Sequence, residues 1–296
     1  MNLKAIGYTD KGVVRSNNQD SFLVHIFSGD TNNNSLVAIV ADGVGGAKAG
    51  STASIKAVDV VKDYLLNEAN SPQHDLKRAI EAANQEIYTL SSANEEYRGM
   101  ATTCSALMIK DNKVITGHVG DSRIYRIRDK EIERLSEDHT LPMRLFKNGE
   151  IDLTELDDHP QSHVLTNALG ARANVEVDMN SSSLMVNDMY ILCSDGLYKY
   201  LNDDELIDVA SQTPLDSLPE KLVAMANERG GSDNITVIVV KVNDDNVSNR
   251  TVRISGDFFD EVAVKENNNI KKNIPKYIIA AILLMAAIFF ISSRLK

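Results

Sequence analysis

Five times in this chain an aspartate stands at the edge of a short apolar run, beside Gly, Ser or Asn. SLVAIVADGVGG gives Asp42, followed by Gly43, and GHVGDSRIY gives Asp121, after Gly120. MYILCSDGL gives Asp195, GGSDNITVIVV gives Asp233, and Asp20 in VRSNNQDSF precedes another such run. Short apolar runs bounded by turn residues read as buried strands. Taken singly, Asp-Gly after a strand is most often a turn, because both residues suit turn dihedrals. Five together say more. The strand ends of one sandwich can share one rim, and carboxylates gathered there repel unless cations neutralise them. All-oxygen donors favour hard ions, Mg2+ or Mn2+, over zinc. Two such ions about 3.5–4 Å apart lower the pKa of a shared water and hold a hydroxide at neutral pH, which suits hydrolysis of phosphate esters. A calcium-binding module is the competing reading, but the chain has no EF-hand spacing.

Around these aspartates strand-like and helix-like blocks alternate. Strands are predicted over 21–26, 36–41, 102–109, 113–119, 123–128, 132–135, 163–168, 174–178, 189–193 and 235–242. Helices are predicted over 51–68, with Ile55, Val58, Val61 and Leu65 on one face, and over 75–92, with Leu76, Ile80, Ala83, Ile87 and Leu90 on one face. Two more are predicted over 203–212 and 214–229, the second capped by Gly230 and Gly231. A loop-and-helix segment fills 141–162. Two groups of strands, each with a helix pair, give an α+β body of two packed sheets covered by helices on both outer faces. Strand order does not follow from this pattern.

Composition bounds the function. The 296 residues are 43% hydrophobic and 25% charged, with a net charge of −11, an ordinary globular balance. The last 26 residues hold five Lys/Arg and no Asp/Glu, so residues 1–270 carry −16. A body this acidic repels nucleic-acid phosphates, which excludes nucleic acid as an expected partner. Cys104 and Cys193 lie in apolar runs without a CxxC or Cys/His pattern, so buried free thiols are expected and zinc is not. The N-terminus lacks the apolar core of a secretory signal, which predicts a body inside the cell.

The C-terminal end differs. Residues 277–291 are 15 consecutive apolar or aromatic residues, and 274–293 extends the run to 20 with Lys276 as its sole charge. A buried core helix is the competing reading, but the stretch has no polar face, which favours a transmembrane helix over 274–293 with a short tail at 294–296. Residues 243–273, rich in Asn, Asp and Lys, read as a polar tether in which the pair Phe258 and Phe259 is the exception. The expected arrangement is a single-pass protein of the bacterial inner membrane, its body facing the cytoplasm.

The strings RSNNQDSF, VADGVGG, GMATTCSALMI, VGDSRIY, DHPQSHVLTNALG, SDGLYKYLNDDEL and GGSDNITVIVV occur in this order. Over about residues 3–242 the chain resembles a bacterial member of the protein phosphatase 2C family. The resemblance implies a four-layer α-β-β-α sandwich, two antiparallel sheets flanked by helix pairs, and hydrolysis of phosphoserine and phosphothreonine in proteins. Carried over by position, it implies that Asp42 bridges two central Mn2+ or Mg2+ ions, with the Gly43 carbonyl on one. Asp195 and Asp233 hold the second ion, Asp20 acts mainly through water, and Asp121 joins Asp195 at a third, weaker site. Arg15 matches the arginine that grips the substrate phosphate; the plainer reading is a salt-bridge partner. Residues 141–163 match a flap over the cleft. A bacterial Ser/Thr kinase is implied as the opposing enzyme.

Two departures stand out. Gln19 stands where many relatives have Glu, so it adds no negative charge. Ala47 replaces a histidine common after the DGxGG stretch, which removes an acid from that loop. His139 in SEDHT is the nearest family-matched candidate acid, against the plainer reading of a structural histidine. A catalytically silent member of the fold, serving as an interaction module, is the alternative function; loss of metal aspartates would be its mark, and none of the five is missing. Another two-metal phosphodiesterase is the third.

Overall fold

The computed structural model describes residues 2–27, 35–68, 72–156, 159–243 and 251–256. Strands β1 (Asn2–Asp10), β2 (Asp20–Phe27) and β3 (Ser35–Val44) precede helices α1 (Ala47–Glu68) and α2 (Pro72–Ala93). Next come β4 (Ala101–Thr102), β5 (Cys104–Lys110), β6 (Lys113–Val119), β7 (Arg123–Arg128), β8 (Glu131–Arg134) and α3 (Leu141–Lys147). The second half adds β9 (Asp178–Ser183), β10 (Met189–Cys193), the one-turn α4 (Asp195–Tyr198), α5 (Asp203–Gln212), α6 (Leu218–Glu228), β11 (Ile235–Asn243) and β12 (Thr251–Gly256). One sheet has the order β12-β1-β11-β10-β7-β8; the other has β2-β3-β5-β6-β9, with β4 paired to β3. Every strand pair is antiparallel except β1 with β12, which run parallel.

Alternation along the strands makes the layers. On β3, Val37, Ile39 and Ala41 join Ala53, Ala57, Val61 and Leu65 of α1 and Ile80, Ala83 and Ile87 of α2 in one apolar cluster. Leu36, Ala38 and Val40, on the opposite face of β3, are equally buried, as a strand covered on both sides requires. On the other sheet, Ile235, Val237 and Val239 of β11 pack with Leu206 of α5 and Leu218, Leu222 and Val223 of α6. Each fully buried Leu, Ile or Val contributes roughly 1.5–3 kcal/mol, so the helix layers follow from these stripes. Local signals set the helix ends. The Asn202 side chain accepts from the Glu205 N–H at 3.0 Å while Glu205 Oε2 accepts from the Asn202 N–H at 3.1 Å, a reciprocal cap at the start of α5. The thiols of Cys104 and Cys193 are free and buried, and burial pushes both up to about 12, which leaves them inert.

The structure corrects four expectations. Residues 163–168 and 174–177 form no strand, and of the expected strand 174–178 only Asp178 belongs to one; Leu165 makes an isolated bridge to Thr140, and Leu169 one to Thr102. The strand there is β9, a serine-rich edge partner of β6 whose polar sequence carries no apolar signal. The segment 2–10, not assigned as a strand from sequence, is β1, the partner of both β11 and β12. The tether expected over 243–273 starts too early, because Thr251–Gly256 pairs with β1 and the compact unit runs to Gly256. Thr251–Gly256 (TVRISG) alternates polar and apolar residues, a strand signal inside a segment read as a tether from its overall polar composition. The fourth is the start of α6, where a 3-10 turn over Leu215–Ser217 precedes the helix. The apolar run 274–293 and the tail 294–296 lie outside the described residues, as does most of the expected tether.

Candidate active site

The five aspartates come from different segments and meet at one rim. Asp20 opens β2 and Asp42 lies near the end of β3, directly opposite in the antiparallel register. Asp195 begins α4 just after β10, and Asp233 precedes β11, the neighbour of β10 in the other sheet. Asp121 sits in the turn that carries the chain from β6 to β7, and so from one sheet to the other. Two glycines permit this crowding. A Cβ on Gly43 would fall 2.2 Å from the Gly50 carbonyl oxygen, so the loop after β3 folds back with backbone against backbone. Gly120 holds φ +107°, a conformation that side chains oppose, and aims the turn at Asp121.

Burial and mutual repulsion define the electrostatics. Asp20 is pushed up to about 7 by burial, against hydrogen bonds from Thr236 and Ser194, with Asp195 and Asp233 adding repulsion. Asp121 is pushed up to about 8 by burial and by Asp195 and Asp138, opposed by Lys199. Asp42 is raised well above the carboxylate range by burial and then by Asp20, Asp195, Asp121 and Asp233, so one side chain feels the other four. Asp195 is raised by burial in spite of Lys199.

Hydroxyls and cations hold the carboxylates in place. Ser194 Oγ and Thr236 Oγ1 each donate to Asp20 Oδ2 at 2.7 Å. Thr236 Oγ1 lies 2.7 Å from Thr9 Oγ1, which in turn accepts from Asn18 Nδ2 at 2.9 Å. The Asn234 side chain laces the segments together, accepting from the Gln19 N–H and donating to the carbonyls of Lys11 and Asn17. Arg15 grips Asp233 with Nε and Nη2, each at 2.9 Å. Lys199 Nζ lies 2.5 Å from Asp195 Oδ2. Ser194, Thr236, Asn234 and Lys199 were not singled out from sequence. Lys199 had a legible signal, its i+4 spacing from Asp195 on a helix. The partners of Ser194 and Thr236 come from strands far apart in the chain, which spacing cannot reveal.

The donor set fits hard divalent cations. Asp20 Oδ1 and Asp195 Oδ1 are buried yet find no hydrogen-bond partner among the described residues. Buried anionic oxygens without partners carry a large desolvation cost that a cation removes. Among the described residues no three His, Cys, Asp or Glu side chains close around a single point.

Gln19 donates its side-chain amide to the Gly46 carbonyl at 3.3 Å, and Ala47 opens α1. His139 turns away from an acid's role. Its Nδ1 accepts from the Gly120 N–H and from Asn167 Nδ2, both at 3.2 Å, which places the ring proton on Nε2, 3.1 Å from Asp178 Oδ2. The ring therefore braces the turn before Asp121, and the structural reading of His139 holds. Of the 141–163 segment, α3 and a 3-10 turn at Leu153–Glu155 are formed. Its base is pinned where the Leu141 N–H donates to the Val164 carbonyl and the Thr166 N–H to the His139 carbonyl, both at 2.8 Å.

The profile of "Protein phosphatase 2C" matches residues 12–239, more than half of the chain and all of this rim. The chain belongs to the protein phosphatase 2C family. It is 38% identical over 244 residues to protein phosphatase PhpP of Streptococcus pneumoniae serotype 2, across 80% of this chain and 96% of that one. The crystal structure of the serine/threonine phosphatase Stp1 from Staphylococcus aureus superposes with a TM-score of 0.74 at 31% identity, covering 82% of this chain and 96% of that one. The catalytic domain of the serine/threonine protein phosphatase PstP, solved in complex with two manganese ions, gives a TM-score of 0.71 at 29% identity over 82% and 99% of the two chains. As a phosphatase 2C the chain is a metal-dependent serine/threonine protein phosphatase, and the family's cofactors are Mn2+ and Mg2+. The two-sheet architecture expected from the resemblance is the one found.

Proposed function

We propose that this phosphatase hydrolyses phosphoserine and phosphothreonine in proteins with two divalent ions held at the aspartate rim, reversing a bacterial Ser/Thr kinase. The observation that carries the reading is the set of buried, mutually repelling carboxylates with two orphaned oxygens. Asp42, placed among the other four, would be the central carboxylate holding the ions, with the Gly43 carbonyl beside it as a further oxygen donor. Asp195, Asp233 and Asp20 would supply the remaining carboxylate oxygens, and Asp121 would add charge at the Asp195 side. Bound there, the ions supply an activated water and neutralise phosphate charge.

The remaining work falls to the chain itself. Ser194 and Thr236 fill the lone pairs of Asp20 Oδ2 and leave Oδ1 facing the rim. Arg15, half exposed, presents a planar fork that suits a phosphate dianion and is already oriented by Asp233. The braced turn at Gly120 keeps Asp121 in register with Asp195.

The test is turnover of a phosphothreonine peptide by the full chain with Mn2+, with Mg2+ and with EDTA. Activity that needs the metal and disappears with EDTA is the expected result. A folded, metal-loaded protein without turnover would leave the interaction-module reading.

The membrane reading of 274–293 rests on its unbroken apolar run; among the described residues no helix is long and apolar enough to cross a membrane. We infer a single-pass anchor at the inner membrane with the catalytic body in the cytoplasm. The full chain is expected in the membrane fraction and a chain ending at residue 256 in the soluble one; equal partitioning would remove the anchor.

A further inference from the structure

Val13, Val14 and Val44 hold apolar surface in water beside the aspartate rim. Val13 and Val14 immediately precede Arg15 and are each 68% exposed, the highest values among the large apolar residues described. Val44 follows Gly43 and is 44% exposed. A single exposed valine is ordinary, because apolar atoms make up much of any protein surface. Here two are consecutive, and all three lie within two residues of Arg15 or Asp42.

The loop that carries the pair is fixed. The N–H groups of Val13 and Val14 both donate to the Gly231 carbonyl, at 2.8 and 3.3 Å, and the Gly12 N–H donates to Asp10 Oδ1 at 2.7 Å. A Cβ on Gly12 would fall 2.1 Å from the Asp233 carbonyl oxygen, so the loop lies directly on the segment that carries Asp233. Val44 is fixed from the other sheet, as the last residue of β3, paired with Ala101 of β4. Backbone held in this way cannot turn the valines inward, so their surface stays wet until a ligand covers it. Arg15, next in the chain to Val14, is oriented by Asp233 and feels Asp195 and Asp42 as well. A phosphate on that fork has Val13 and Val14 next to it on the Asp233 side and Val44 on the Asp42 side.

We propose that Val13, Val14 and Val44 form a specificity surface for the residues next to the phosphorylated one, so that this chain prefers phosphoproteins with an apolar side chain adjoining the phosphoserine or phosphothreonine. The inference rests on the phosphatase reading above. Preorganised apolar surface takes up such a side chain at little ordering cost. An acidic neighbour is disfavoured by a body that carries −16 over residues 1–270.

The test is kcat/KM of the full-length chain with Mn2+ on phosphothreonine peptides of equal charge that carry Leu or Asn just before, or just after, the phosphorylated residue. It is run on the wild type, on the Val13→Thr/Val14→Thr double variant, on Val44→Thr and on the triple variant, each checked for folding by circular dichroism. Threonine keeps the branched shape and replaces one methyl by a hydroxyl; serine replaces it in any variant that does not fold. The wild type is expected to favour Leu over Asn about tenfold on at least one flank and the triple variant by no more than about threefold, with turnover of the Asn peptides unchanged. A wild type without preference, or a preference that the folded triple variant keeps, overturns the role of the valines while leaving the phosphatase reading intact. A folded wild type that hydrolyses none of the peptides overturns that reading and the inference with it.

Discussion

Asp188 and Asp20 are both buried carboxylates, and the chain treats them oppositely. Asp188, with a side chain 0% exposed, has two of its own cationic contacts: Arg128 Nε and Nη2 meet its two oxygens at 2.7 Å. The Met185 N–H and the Tyr190 hydroxyl complete its shell. Burial pushes its pKa up, but these donors outweigh it and hold the carboxyl below its ordinary value. Burial pushes Asp20 up as well, but it receives only two hydroxyl donors, both on one oxygen, and has like charges around it, so its pKa stays raised. The first is a finished structural pair. The second keeps a buried oxygen without a donor among the described residues, and that contrast separates scaffold from candidate chemistry more clearly than burial does.

The contrast yields expected outcomes of decreasing size. Asp42→Asn removes a charge from the centre of the cluster and should lower kcat/KM by roughly 10³-fold or more, about 4 kcal/mol, with an unchanged circular dichroism spectrum. Unchanged turnover would break the site assignment. Asp188→Ala strips Arg128 of its buried partner and should cost about 3 kcal/mol of stability, read as a Tm roughly 6–12 °C lower, while Mn2+ affinity stays put. Equal losses of metal affinity in both variants would erase the distinction between the two carboxylates.

The pH dependence sharpens the same point. With the folded-state values of Asp20 and Asp121 at about 7 and about 8, against about 4 unfolded, the metal-free native state binds more protons than the unfolded chain over that window. Their contribution to stability is complete below about pH 4 and is lost as the pH rises through 7 to 8. In EDTA the Tm should therefore fall toward pH 8, and saturating Mn2+ should cancel the fall by favouring the charged forms. Parallel melting curves with and without Mn2+ would contradict it. The smallest effect belongs to Thr236→Val, which removes one donor to Asp20. About a tenfold drop in kcat/KM at limiting Mn2+ is expected, roughly 1.5 kcal/mol, shrinking as Mn2+ is raised to saturation. A loss that saturating Mn2+ leaves unchanged would make Thr236 a packing residue only.

Helices and central strands were legible where a periodic apolar stripe meets turn chemistry, as at 75–92 and in the run that became β11. The errors cluster where the local signal is weak or outvoted by the composition around it. β9 is a polar edge strand, β12 a short alternating strand inside a segment of polar composition, and 163–168 runs as a loop with one isolated bridge at Leu165. The five aspartates were legible because each sits beside a turn residue at the end of a strand. Residue order alone was therefore enough to name the carboxylates and the class of ion they suit. Only the tertiary structure decided which groups complete them: Ser194 and Thr236 on Asp20, Arg15 on Asp233, Lys199 on Asp195, and His139 on the turn rather than on a substrate. The physical reason is range. Turn dihedrals and apolar periodicity act within a few residues, whereas hydrogen bonds and charges act across a few ångströms, between segments that only folding brings together.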